Sequence, residues 1–169
     1  MIKRPFPYFK QLEAKDCGPT SLKIIAKYYG KNIDVDYLRR QSLTTREGSS
    51  LQSICDASEA IGFTPIPIQL ETKQLEQVPL PCILHWNGNH FLVLYKIKNG
   101  IYYISDPAFG RAKYDEQEFL RHWGLIRDKN DEIKGTALLL EKTEKFDNKK
   151  ISNGADRIQY GFLTKYLVR

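Results

Sequence analysis

Among the 169 residues of this chain, one cysteine stands where a cysteine can act as a nucleophile. Cys17 is followed by Gly18, Pro19 and a stretch with helical spacing, which places its sulfur at the N-terminus of a helix. The unsatisfied amides and the dipole of a helix start stabilise a thiolate, the reactive form of the side chain. Cys55 falls on the apolar stripe of another expected helix and Cys82 opens an apolar strand. Both read as small core residues. Three cysteines without CxxC spacing argue against a disulfide framework or a structural zinc site, and fit a reducing compartment.

A thiolate nucleophile needs a base. Of the three histidines, His122 lies beside Trp123 in a helical pattern and reads as surface or packing. His85 and His90 flank Asn87-Gly88, a strong hairpin signal. A two-residue loop there would set the two imidazoles opposite each other on one side of a sheet, so spacing alone leaves them tied. Asp106 ends the following strand and could hold an imidazole in its productive tautomer, although Asp-Pro is also ordinary turn chemistry.

The elements that must position these groups follow from periodicity. Residues 19–29 form a helix, with Leu22, Ile25, Ala26 and Tyr29 on one side, Pro19 in its first turn and Gly30 just past its end. Residues 36–41 and 50–62 continue in helical pattern. Pro65 and Pro67 force an extended, edge-like segment, and Thr72 suits the cap of a short helix to Gln77. Short apolar runs at 82–86, 89–97, 101–105 and 136–141, separated by Asn87-Gly88, Asn99-Gly100 and further turn signals, read as strands. Residues 115–123 return to a helical pattern. Helices first and an antiparallel sheet afterwards is an α+β layout.

Composition narrows the function. Hydrophobic residues make up 41% and charged residues 27% of the chain, the profile of a single globular domain with a real core. The net charge of +6 comes from scattered lysines, and no basic helix or aromatic-basic module points to nucleic acid. No signal peptide is visible, and no apolar run is long enough to cross a bilayer. After Lys142 the character changes: residues 145–156 are polar and read as linker, and residues 160–168 have the pattern of a short amphipathic helix. The expected division is a folded domain at 1–145 and a linker with an amphipathic segment at 146–169, leading toward a transmembrane region.

Three segments together carry a family likeness. Gln11-Leu-Glu-Ala-Lys-Asp-Cys17-Gly-Pro-Thr-Ser-Leu22 resembles the active-site segment of the C39 cysteine peptidases, the bacteriocin-processing peptidase domains. Asn89-His90-Phe-Leu-Val-Leu94 is similar to that family's histidine strand, and Asp106-Pro-Ala-Phe-Gly110 to its aspartate motif. Residues 51–63 and 118–124 are also similar, in the expected order, and the likeness covers about residues 5–142. Thr20 departs from the family's more usual small apolar residue and leaves the nucleophile intact.

The resemblance implies a papain-like fold with N-terminal helices packed on an antiparallel sheet. It implies Cys17 as nucleophile, His90 rather than His85 as base, Asp106 as orienting acid and Gln11 as a side-chain donor to the oxyanion. It further implies cleavage of a peptide precursor after a Gly-Gly pair, by a soluble domain at the cytoplasmic face of the bacterial membrane, without cofactor or metal. The implied partners are a precursor with a double-glycine leader and the transmembrane and ATP-binding domains of an exporter. A docking module that binds leaders without cutting them, or a stand-alone leader peptidase, are the alternatives.

Overall fold

Two tight hairpin turns organise the second half of the chain. Asn87 and Gly88 take φ of 51° and 73°, and Asn99 and Gly100 take 53° and 70°. Left-handed values at both central positions turn the chain in step with the twist of the strands on either side. The computed structural model describes residues 4–42 and 46–151.

Helices α1 (Cys17–Tyr28), α2 (Val35–Gln41) and α3 (Leu51–Ile61) come first. They are followed by β1 (Phe63–Leu70), α4 (Thr72–Leu75), β2 (Cys82–Trp86), β3 (His90–Lys98), β4 (Ile101–Asp106) and β5 (Gly110–Asp115). Then come α5 (Glu116–Trp123), β6 (Ile126–Arg127), β7 (Ile133–Lys142) and α6 (Glu144–Asn148). The strands form one antiparallel sheet in the order β1-β7-β2-β3-β4-β5, with β6 beside β7. This is the expected α+β arrangement.

The sheet is buried on both faces, and alternation along its strands decides which side chain faces which layer. Ile83, Phe91, Val93 and Leu138 pack with Leu22, Ile25 and Ile54 from α1 and α3. Leu84, Leu92, Leu94, Ala137, Tyr102 and Ile104 pack on the other side with Phe119 and Trp123 of α5. β2 and the first half of β3 therefore read as nearly continuous apolar runs. Among the described residues β1 pairs only with β7, which keeps Pro65 and Pro67 at an edge where a missing N–H is tolerated.

Some boundaries differ from the sequence reading. α4 is closed by Glu71 and Gln74 in a reciprocal capping box, and Thr72 is its first residue rather than its cap. β5 was not expected as a strand: charges alternate along it because it is the outer strand of the sheet, with one side in solvent. Asp115 is the cap of α5 and accepts from the Glu118 amide at 2.9 Å.

The expected boundary at 145/146 falls inside α6. Phe146 is fully buried and joins the core beside Phe63 and Tyr29, with ring centroids 4.6 and 6.3 Å away. Gly62, which ends α3 at φ 102°, makes this possible, because a Cβ there would stand 2.3 Å from the Phe146 backbone nitrogen. Thr143 ties the same junction by donating to the Gly62 carbonyl at 2.7 Å. A segment read as linker on its polarity thus contributes an anchor. The amphipathic helix expected at 160–168 lies outside the described residues.

Truncation after Lys145 is therefore expected to destabilise the domain. Loss of a buried phenylalanine costs roughly 3–5 kcal/mol, equivalent at this size to a fall in Tm of about 10 °C. Differential scanning calorimetry of this truncation against a chain ending after Ile151, which keeps Phe146, checks this.

Candidate active site

Cys17 is the first residue of α1 and follows directly on a 3-10 turn, Ala14–Asp16. Pro19 costs nothing in the first helical turn, where amides have no intrahelical acceptor. Gly18 has a packing reason: a Cβ there would meet Ile54 Cδ1 at 2.8 Å and Ser49 Cβ at 2.9 Å. The start of α1 can therefore press closely against α3 and the segment before it.

Three anchors fix this turn. Asp16 is fully buried, takes Arg39 Nε at 2.7 Å on one oxygen and accepts from the Glu13 amide at 2.9 Å on the other. Arg39 Nη2 closes a second bond to the same carboxylate. Burial works against the Asp16 carboxylate, but these bonds and the guanidinium charge prevail and hold its pKa below the usual value. The side chain does not cap α1; it is the acceptor that closes the turn before the helix. One turn on, the buried Ser21 hydroxyl donates to the Phe91 carbonyl at 3.2 Å, which joins α1 to the strand that begins with His90.

His90 and Asp106 meet across neighbouring strands. His90 Nε2 lies 2.8 Å from Asp106 Oδ1, and the Cys17 side chain is close enough to act on the charge of the same imidazole. Burial disfavours the imidazolium. The bond with Asp106, the Cys17 side chain and the charges of both partners together outweigh it and lift the His90 pKa to about 9. Asp106 is 5% exposed and its Oδ1 also accepts from the Ala108 amide at 2.8 Å. The turn chemistry of Asp-Pro and the contact with the imidazole are thus both realised, and the turn holds the carboxylate in place for the histidine.

The register separates the two hairpin histidines. Asn89 N closes the turn on Trp86 O at 3.2 Å, yet the strand partner of Trp86 is His90, and that of His85 is Phe91. One residue more than a two-residue loop stands between the strands, and a shift of one reverses the face of a side chain. His85 therefore stacks on Phe91, with centroids 4.9 Å apart, on the face opposite His90. Burial lowers its pKa, against a bond with the Gly88 backbone. The other cysteines stay in the core: burial raises both thiols, Cys82 to about 12, and Asp56 and Glu59 add to the effect at Cys55.

Gln11 is brought to the site by an N-terminal strap across β4 and β5. Phe6 stacks on Tyr95 at 4.2 Å and its carbonyl takes Arg111 Nε at 2.9 Å. The Pro7 carbonyl accepts from Ser105 Oγ at 3.0 Å, and Gln11 N donates to Pro107 O at 2.9 Å. The Gln11 amide nitrogen spends its hydrogens on the carbonyls of Glu13 and Ala14, at 3.1 and 3.3 Å, while Oε1 is buried without a partner. An orphaned carbonyl oxygen beside two carbonyl acceptors marks a side chain whose bonding is incomplete until another group arrives.

Two depressions meet at Ala14 and Asn89. A small one of about 160 Å³ holds Cys17 with Lys15, Gly48 and Ser49. A larger cleft of about 460 Å³ is lined by Gln11, His90 and Asp106 together with Trp86, Phe109, Tyr114 and His122. The sequence reading had no place for those last four in the site. His122 packs, as expected, but it packs into the wall of this cleft. Only the docking of α5 on the hairpin brings these residues there, and no local spacing could have signalled it. A thiol, an imidazole and a carboxylate in series, at a cleft, are equipped for nucleophilic attack on a carbonyl.

Residues 5–130 match the sequence profile of the Peptidase C39 family. The chain is 36% identical over 121 residues to the probable microcin-H47 secretion/processing ATP-binding protein MchF of Escherichia coli, covering 72% of this chain and 17% of that protein. It is 34% identical over 119 residues to the lactococcin-G-processing and transport ATP-binding protein LagD of Lactococcus lactis subsp. lactis, covering 67% and 17%. The chain thus spans about a sixth of the length of these curated relatives. Its fold superposes on a crystal structure of a double glycine motif protease from an AMS/PCAT transporter in complex with the leader peptide, with a TM-score of 0.72 and 32% identity over 81% of this chain and 91% of that one. The peptidase domain of Streptococcus ComA shares the fold, with a TM-score of 0.70 at 24% identity over 82% and 100% of the two chains. With a family profile matched over most of its length, a papain-like fold shared with solved peptidase domains and a thiol–imidazole–carboxylate series at a cleft, this chain belongs to the C39 peptidases and is a cysteine peptidase.

Proposed function

We propose that this domain removes the leader from a peptide precursor by cutting after a Gly-Gly pair. In this reading it works at the cytoplasmic face of the bacterial membrane as part of an exporter whose transmembrane and ATP-binding domains complete the machine. The observation that carries the proposal is the imidazole of His90, held 2.8 Å from the Asp106 carboxylate and acted on by the Cys17 side chain beside it. The relatives named for processing and secretion, and the double glycine motif protease of similar fold, support the choice of substrate.

The proposed chemistry follows from the geometry. Cys17 Sγ attacks the glycyl carbonyl carbon as His90 holds the proton. Negative charge grows on the carbonyl oxygen, where the Cys17 amide and Gln11 Nε2 donate to it. For Gln11 this requires its amide nitrogen to leave one of its two present carbonyl partners. His90 then gives its proton to the leaving amine, and water releases the glycyl group from the thioester. Asp106 keeps Nε2 of the imidazole engaged and Nδ1 toward sulfur throughout. The small depression at Cys17, bordered by Ala14, Gly48 and Ser49, suits residues without side chains.

The direct test is incubation with a leader peptide ending in Gly-Gly and a short cargo, followed by mass spectrometry. A single cut after the second glycine is the expected result. Cys17→Ala should abolish it while leader affinity persists, whereas Cys55→Ala and Cys82→Ala should lower Tm more than turnover. Retained turnover in Cys17→Ala would remove the assignment, and binding without any cutting by the native chain would favour a docking module.

The raised pKa of His90 sets the alkaline limit. The imidazolium partner of the thiolate is lost as pH rises through about 9, so kcat/KM should fall above that pH. Asp106→Asn removes the bond and charge that raise the pKa, while burial still lowers it. The limb should then move down by about one pH unit or more, and an unmoved limb would separate Asp106 from the base.

Gln11→Ala should lower kcat by roughly 10²–10³-fold with little change in KM, the usual loss for one oxyanion donor. A rise in KM with constant kcat would instead mark a ground-state contact.

A further inference from the structure

We propose that the larger cleft beyond His90 is a subsite for the residue that follows the scissile bond, and that it selects an aromatic side chain there. This rests on the Gly-Gly reading only for the position of the cut. The direction of the chain follows from the chemistry. The acyl half of the substrate becomes bonded to Cys17 Sγ, so it lies over the small depression that contains Cys17. The leaving amine takes its proton from His90, so the chain after the cut departs over the depression that contains His90 and Asp106. The two depressions share only Ala14 and Asn89, which places the scissile bond at their junction.

The wall of that cleft is aromatic and firmly built. Trp86 and His122 stack with centroids 5.1 Å apart and planes 19° from parallel, and Tyr114 closes on both at 5.4 and 6.0 Å. His122 Nδ1 lies 2.8 Å from Asn87 Oδ1, and Asn87 N donates to the His122 carbonyl at 2.9 Å. The last turn of α5 is thereby tied twice to the hairpin that leads into His90, so the rings are held in register with the base. Phe109, which also lines the cleft, is 89% exposed. It stands three residues after Asp106, on the turn that carries the carboxylate. A fixed aromatic group and an exposed ring lining one cleft suit an incoming aromatic side chain, by offset or edge-on contact.

The test uses two peptides that share one Gly-Gly leader and differ only in the next residue, Tyr or Ala. The Tyr peptide should have a kcat/KM about 5–10-fold higher, the factor expected of an added aromatic contact. That ratio should fall toward one in Phe109→Ala and in His122→Ala. Phe109→Ala alters only an exposed side chain, so a folding defect in the second variant does not remove the test. Independently, the Trp86 indole N–H resonance of Cys17→Ala, assigned with Trp86→Phe, should shift on titration with Tyr-Ala-Ala-amide and not with Ala-Ala-Ala-amide. If neither leader peptide is cut but the indole still responds to the Tyr peptide, the Gly-Gly reading fails and the aromatic subsite stands. Equal kcat/KM for the two leader peptides, or an indole that ignores the Tyr peptide, overturns the subsite.

Discussion

The docking of α1 across β3 is the contact on which the site depends. Cys17 belongs to a helix and His90 to a strand, and neither element carries information about the other. Their relative position is set where Ile25 and Leu22 pack with Phe91 and Val93 and where the buried Ser21 hydroxyl reaches the Phe91 carbonyl. A sulfur and an imidazole must be placed to within a few tenths of an ångström for proton transfer. Apolar packing supplies the strength, since it is non-directional, and the directional bond at Ser21 helps to set the register.

The pair of buried Asp16 and half-buried Arg39 adds a second constraint, beside Cys17. Such a pair is a weak source of net stability, although removing Arg39 would leave the Asp16 carboxylate buried without its counter-charge. What the pair achieves here is position. Its bidentate geometry joins the 3-10 turn before Cys17 to α2, while the same carboxylate holds the Glu13 amide. The backbone from Glu13 to Cys17 is therefore fixed on both sides, and the Cys17 amide, the proposed oxyanion donor, is fixed with it.

The hairpin β2–β3 serves both halves of the site. Its turn residue Asn87 anchors α5 and with it the aromatic wall, and its second strand begins with His90, the proposed base. The inserted residue in the loop decides the face of each histidine. Because the two strands are buried on both faces, slipping the register by one would move every core side chain to the wrong layer, so the placement of His90 rather than His85 beside Asp106 is protected by the whole sheet.

Much of this could be read without coordinates. The helix at Cys17, the order of helices before strands, the strands at 82–86 and 101–105 and the edge placement of Pro65 and Pro67 all follow from local periodicity, turn residues and proline chemistry, which act over a few residues. The place of Cys17, the proposed nucleophile, at a helix start was equally legible, since a helix start is a local feature. Three things were not. The choice between His85 and His90 rested on a family likeness until the observed register set them on opposite faces, because it depends on one loop residue whose effect appears only in strand pairing. Phe146 looked like part of a polar linker, because its neighbours are charged and only the opening left by Gly62 makes room for its ring. Trp86, Phe109, Tyr114 and His122 come from three separate segments that meet only when α5 closes on the hairpin. Short-range patterns determine which elements form; which side chains share a cleft is decided by packing between residues far apart in the chain, and that is a property of the tertiary structure alone.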